Sequence, residues 1–179
     1  FSGTTAIDSS GNENNGTWGA SLTQTDGLWD TNAGTFNGSD YVDLGNIGPI
    51  GVNTSTSYKK TISFWAKGRG FAIHSYRASN SIGDAHIIIY SDGRMRYTIQ
   101  SNSSSPYAYN AISTITADIN NWNHYVVTLD MPRVSGNGAY VVPLTLCING
   151  VTESINLNFT ANNAITFNNM YLGRWYNYT

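Results

Sequence analysis

Apolar and polar residues alternate with a period of two along most of this chain, which is the pattern of β-strands with one buried face. The clearest alternating runs are 61–67, 94–100, 124–130 and 144–148. Weaker runs predict further strands at 41–44, 70–76, 87–90, 112–116, 151–157 and 170–176. No stretch of a dozen residues keeps a helical period, so the pattern predicts a protein built from short strands.

Residues that favour tight turns separate these runs. Asn149-Gly150 stands between two strand segments, and Asn-Gly favours the type I′ hairpin because both residues tolerate positive φ. Ser91-Asp92-Gly93 is a similar turn signal. Many short strands with regular turns predict an all-β fold, a two-sheet antiparallel β-sandwich or a barrel. With no linker and no internal repeat, we expect residues 1–179 to form a single domain.

The composition excludes several classes of function. Charged residues make up 11% of the chain, against roughly 25% in an average soluble domain. The net charge is −2 with nine Lys and Arg residues, so the chain has no electrostatic footprint for nucleic acid. No apolar run approaches the roughly 20 residues that a membrane helix needs, which argues against membrane insertion.

The cysteine content and the first residue bear on the location of the protein. Cys147 is the only cysteine, so we expect no internal disulfide and interpret it as a small residue at a buried strand position. The sequence begins at Phe1 without a signal-peptide pattern, and we interpret it as a piece of a longer polypeptide. We expect an extracellular protein on a cell surface or a virion surface.

Six phrases, in the same order along the chain, resemble the laminin-G-like jelly rolls of the concanavalin A-like lectin and glucanase superfamily. They are the loop 8–17, the strand phrase 36–44, the phrase 61–67 (TISFWAK), the phrase 122–130 (WNHYVVTLD), the hairpin 146–151 and the phrase 171–174 (YLGR). The resemblance implies a two-sheet antiparallel jelly roll that binds carbohydrate or protein, in some members with calcium. The family's closing C-terminal strand has no counterpart here, so it either lies beyond Thr179 or is supplied by a partner.

The sequence gives little support for catalysis. Glucanases of this fold place acids on one strand as Glu-x-Asp-x-x-Glu, and the two glutamates here, Glu13 and Glu153, lack that neighbourhood. The histidines His74, His86 and His124 fall on separate predicted strands, and we expect them not to gather into a site. We therefore predict that the protein is not an enzyme.

Calcium is the metal that the acidic residues favour, because it takes oxygen ligands from loops. Asp84 lies in a loop at roughly the place where related sandwiches hold an acidic ligand, and Asp40 with Asp43 forms a second candidate set. The alternative is that these acids only form turns or solvated edges.

Sugar binding needs flat aromatic faces, and aromatic residues make up 13% of the chain. Tyr107 and Tyr109 in a Ser/Asn-rich loop, and Trp175 and Tyr176 near the end of the chain, are the candidates for ligand contact. These four aromatic residues either contact a ligand, contact another subunit or only pack within the domain. Trp65 and Trp122 are instead expected to pack in the core or on a sheet.

Two functions are therefore open. The first is a non-catalytic carbohydrate-binding or adhesion module of a larger surface protein, with a glycan or a surface protein as partner. The second is a structural building block of a viral particle, phage fibre or extracellular filament. In that case neighbouring subunits or flanking domains of the same chain complete the sheet.

Overall fold

The computed structural model describes residues 5–19, 23–29, 32–48, 50–51, 56–76, 85–100, 108–161 and 169–173, which contain fourteen β-strands and no helix. The strands are β1 Thr5–Ala6, β2 Gly16–Gly19, β3 Thr23–Asp26, β4 Asn32–Thr35, β5 Tyr41–Asp43, β6 Tyr58–Ala66, β7 Gly70–Tyr76, β8 Ala85–Ile89, β9 Met95–Gln100, β10 Ala108–Ile112, β11 Asn123–Met131, β12 Gly138–Ile148, β13 Val151–Ala161 and β14 Asn169–Leu172. Within this part of the chain, nothing forms a helix long and apolar enough to cross a membrane.

The strands form two large antiparallel sheets and a hairpin. The larger sheet has eight strands in the order β1-β2-β5-β14-β7-β8-β9-β10, and the smaller has four in the order β13-β12-β11-β6. The hairpin pairs β3 with β4. The all-β, two-sheet antiparallel architecture predicted from the sequence is thus confirmed.

The core lies between the inner faces of the two sheets. Strand β11 buries every second residue, so that Tyr125, Val127 and Leu129 all point inward. Strand β9 opposes it with Met95, Tyr97 and Ile99, which are fully buried. Each fully buried side chain of this size contributes about 1.5–3 kcal/mol through burial, which explains why the two-residue alternation is kept.

The predicted turns form as their residues require. Asn149 has a φ of 51° and Gly150 a φ of 84°, the two positive values of a type I′ turn between β12 and β13. Gly93 has a φ of 82°, and its amide donates to the carbonyl of Tyr90 in the turn before β9. The two hairpins and their registers are thereby fixed by local sequence.

The predicted strand at 112–116 is wrong. The strand there is β10, which ends at Ile112, and Ser113 then turns the chain. The Ser113 amide donates to the Met95 carbonyl, and the Ser113 hydroxyl accepts from the Met95 amide and donates to the Ile115 carbonyl. This side-chain bonding satisfies the backbone in place of a strand partner.

One other expectation, that for Cys147, changes with the structure. Cys147 alternates with the buried Leu146 and Ile148, so it lies half-buried on the outer face of β12 and not in the core. The last described strand, β14, is inserted between β5 and β7 in the eight-stranded sheet. The described residues contain no strand after β14, and the position of the closing strand therefore stays a prediction.

Candidate functional site

A row of polar side chains crosses the outer face of the eight-stranded sheet, with one residue from every strand. Each member is the direct register partner of the next, and the row reads Thr5, Thr17, Asp43, Tyr171, His74, His86, Thr98 and Asn110. We call these eight residues the polar row. Residues in register on one sheet share a face, so the row lies opposite the core.

The two histidines at the centre of the row stand side by side, which corrects the expectation that the histidines do not gather. His74 on β7 pairs with His86 on β8, and their ring centroids are 6.0 Å apart. Only 2% and 3% of their surfaces are exposed although they point away from the core. The Phe71 ring packs against the His86 ring in a T-shaped arrangement, with the ring centroids 5.4 Å apart.

Burial decides the charge of His86. Desolvation, with smaller electrostatic contributions from the neighbouring His74 and Arg96, lowers its pKa to about 3. His86 is therefore neutral at physiological pH. Arg96 itself lies over the ring of Tyr90, 5.1 Å from the centroid, in a cation–π contact.

Thr98, next to His86, is buried with the two histidines, whereas the members of the row nearer its two ends reach solvent. Asp43 and Tyr171 are half-buried, and Thr17 and Asn110 are exposed. The Asp43 carboxylate accepts from the Gly45 amide at 2.8 Å, which fixes its orientation. Tyr41 lies next to the row with its ring edge-on to Tyr171 at 5.7 Å. Carboxylate, hydroxyl and aromatic groups thus occur together on the open part of the face formed by β1, β2, β5 and β14, whereas the Asn110 amide lies at the other edge of the sheet.

The predicted calcium ligands Asp40 and Asp43 occupy different environments in the structure. Asp43 belongs to the polar row, whereas Asp40 is buried just before β5, where its backbone amide donates to Asn37. Asp84 lies outside the described residues. Across the described ranges, no three His, Cys, Asp or Glu side chains converge to hold a metal ion. Calcium binding stays a prediction.

Among the predicted ligand-contact aromatics, only Tyr109 falls within the described residues; Tyr107, Trp175 and Tyr176 lie outside them. Tyr109 is in strand β10 and not in a loop, and it pairs with the buried Ile99. Its ring is edge-on to Phe159 of the other sheet at 6.1 Å. The structure therefore places Tyr109 between the sheets.

Trp65 packs on a sheet and not in the core, which is one of the two positions expected for it. It is on the outer face of β6 with 42% of its surface exposed, and its ring stacks on that of His124 with the centroids 5.0 Å apart. Trp122 is half-buried just before β11. The alternation of 61–67 already placed Trp65 among polar residues, and this signal indicated the outer face.

The sequence contained a partial signal for the polar row. Asp43 occupies a polar position next to the buried Val42, whereas His74 and His86 stand in segments that are buried on both faces and do not alternate. Alternation assigns each residue to a face but says nothing about which strands are neighbours. The meeting of Asp43, Tyr171 and His74 depends on the insertion of β14 between β5 and β7.

This sandwich, with its core between the sheets and polar outer faces, has the architecture of a lectin-like jelly roll. A family model described as the concanavalin A-like lectin/glucanases superfamily matches residues 32–179. The chain belongs to this superfamily, as its sequence phrases suggested. The family as a whole suggests carbohydrate binding.

The other comparisons are more distant. The crystal structure of alginate lyase vAL-1 from a Chlorella virus is similar with a TM-score of 0.38 and 12% identity, over 93% of this chain and 85% of that one. At this TM-score the likeness carries no argument about activity or substrate. No curated protein matches the sequence.

Proposed function

We propose that this chain is a non-catalytic carbohydrate-binding or adhesion module of a larger extracellular or virion-surface protein. The observation that carries the proposal is the polar row, whose solvent-reaching members on four neighbouring strands, Thr5, Thr17, Asp43 and Tyr171, place hydroxyl and carboxylate groups side by side on one face of the sheet. Sugar hydroxyls both donate and accept hydrogen bonds, so a mixed row of carboxylate and hydroxyl groups is suited to them. Tyr41 and Tyr171 add aromatic surface against which a sugar ring packs.

The state of His86 supports a binding role over a catalytic one. A general base works best with a pKa near the working pH, whereas the pKa of His86 is lowered to about 3. A buried neutral imidazole with so low a pKa is a weak proton acceptor at the pH at which the protein works. The family's suggestion of carbohydrate binding points in the same direction.

The test is thermal unfolding across a glycan panel, with calcium and with chelator, because a ligand of the folded state raises the midpoint by mass action. We expect a rise with at least one glycan. The substitutions Asp43→Asn and Tyr171→Phe should reduce that rise together with the affinity, and Thr23→Ala on the exposed strand β3 is the matched control. A folded protein that gains no stability from any glycan would refute the proposal.

The second candidate, a structural unit of an assembly, is favoured by the edge of the four-stranded sheet. Among the described residues β6 pairs only with β11, and its inward residues Ile62, Phe64 and Ala66 are half-buried. Their counterparts on β11 are fully buried, so the sandwich is less well covered at this edge. An added strand would cover it. Sedimentation across a concentration range tests this candidate, and a monomer at all concentrations contradicts it.

A further inference from the structure

The outer face of the four-stranded sheet, on the opposite side of the sandwich from the polar row, carries a row of hydroxyl groups. Thr128 on β11 is the register partner of Thr61 on β6 and of Thr145 on β12, and Thr145 is the partner of Ser154 on β13. All four alternate with inward-facing residues. They form a strip about 14 Å wide, since neighbouring strands are about 4.8 Å apart.

This hydroxyl strip forms the floor of an open groove of about 420 Å³. Lys59, Asp130 and Asn156 line the groove beside the strip. Lys59 donates to the Asp130 carboxylate in an ion pair between exposed side chains, so the two charges compensate each other. Lys60 also lines the groove, but it alternates with the outward-facing Lys59 and Thr61, and its ammonium donates to the Ile47 carbonyl. The outward-facing groups that a ligand of this groove meets are therefore hydroxyls, an amide and the compensated ion pair.

Aromatic rings lie at one end of the same face. Trp65 is on β6 four residues after Thr61, which is about 13 Å along the strand. Trp29, at the turn after β3, has 72% of its surface exposed, and its ring is edge-on to Trp65 at 5.3 Å. His124 stacks on Trp65, and its Nε2 is 2.7 Å from the Ser63 hydroxyl, which fixes the platform. We call Trp29, Trp65 and His124 the aromatic platform.

We infer that this face is a second saccharide site, separate from the polar row, which binds a neutral linear polysaccharide lying along β6 and β11. One sugar ring packs against the aromatic platform, and the following rings reach the hydroxyl strip. The distance between the two features exceeds a single sugar, so an extended chain is the ligand that uses both. The compensated Lys59–Asp130 pair offers no net charge to a uronate or sulfated chain.

The inference is tested in a protein whose polar row is already altered by Asp43→Asn and Tyr171→Phe. Calorimetric titration uses neutral gluco-, manno- and xylo-oligosaccharides of increasing length, with uronic acid oligomers for comparison. We expect at least one neutral series to bind, with an affinity that grows with length until the chain reaches from the platform to the strip. Trp65→Ala should weaken the longest oligomers about tenfold, which is the loss of one good aromatic contact.

Thr61→Val is the milder second variant, because it removes one hydroxyl from the strip and keeps the β-branched shape. It should weaken long oligomers and leave the unfolding midpoint nearly unchanged. Ile112→Ala, at an exposed residue of the other sheet, is the matched control. The second site would be overturned, with the proposed function intact, if the protein with the altered polar row bound no neutral oligosaccharide and Trp65→Ala in the protein with the intact row left binding unchanged. A preference for uronic acid oligomers would overturn the neutral class.

Discussion

His74 and His86 are direct neighbours across β7 and β8 on the outer face of the sheet, yet both are almost completely buried. Burial disfavours a positive charge on His86, and the neighbouring His74, whose ring centroid is 6.0 Å away, disfavours it further. Arg96 adds a positive charge to the same neighbourhood. The centre of the polar row is therefore sensitive to acid.

The first prediction concerns stability at low pH. The pKa of His86 falls from 6.5 to about 3 on folding, so between these values the unfolded chain binds a proton that the folded chain does not. The free energy of unfolding should therefore decrease as the pH falls from 6.5 towards 3, by about 1.4 kcal/mol per pH unit at most. Urea unfolding at a series of pH values measures this. His86→Gln should make the free energy of unfolding less dependent on pH in this range, and the control His124→Gln should not. The same pH dependence in both variants would contradict the assignment of the effect to His86.

The second prediction compares two buried tyrosines. The hydroxyl of Tyr125 has no hydrogen-bond partner among the described residues, whereas the hydroxyl of Tyr97 donates to the Ile50 carbonyl. A buried unsatisfied group costs about 1–3 kcal/mol, so Tyr125→Phe should raise the free energy of unfolding by about 1 kcal/mol. Tyr97→Phe should lower it by a similar amount, because it leaves the Ile50 carbonyl unpaired. The denaturant midpoints of the two variants measure these changes in the free energy of unfolding. A loss of stability in Tyr125→Phe would contradict the prediction and indicate a bound water at that hydroxyl.

The third prediction separates backbone strain from steric clash at two glycines with nearly the same φ. A Cβ on Gly93 would lie 1.9 Å from the Ala117 carbonyl oxygen, whereas a Cβ on Gly150 would meet nothing within 4 Å. Gly150→Ala should cost about 1–2 kcal/mol from the positive φ alone. Gly93→Ala should cost clearly more, because backbone must move. The urea midpoints of the two variants show which substitution costs more stability. Equal losses of stability would contradict the prediction and show that the backbone of residues 113–118 moves at little cost.

The fourth prediction concerns Asn149, which joins the β12–β13 turn to β11. Its side-chain oxygen accepts from the His124 amide, and its amide donates to the buried Asn123 side chain. Asn149→Gly keeps the positive φ and removes both bonds, so its cost of about 2 kcal/mol reports the bonds alone. Asn149→Ala should cost about 1 kcal/mol more, since alanine resists that φ. Identical stabilities of the two variants would mean that the turn adjusts.

Local sequence was sufficient wherever neighbouring residues decide the conformation. The alternation of Ile62, Phe64 and Ala66 predicted β6, and Asn149-Gly150 predicted the hairpin that follows β12. It failed at β10, where Ser113 satisfies the backbone by side-chain bonding and ends the strand earlier than the apolar pattern suggests. It also left out β1 to β4, which are short and contain few apolar residues.

The sequence by itself determined the all-β class, the superfamily and the face on which most residues of its clear strands lie, because burial of one face imposes a period of two. The tertiary structure alone decided which of those faces meet. Asp43, Tyr171 and His74 come from distant parts of the chain and become neighbours only when β14 pairs between β5 and β7. Such long-range pairing is fixed by how whole sheets pack, and a shift of one residue would turn every side chain of a strand to the other face.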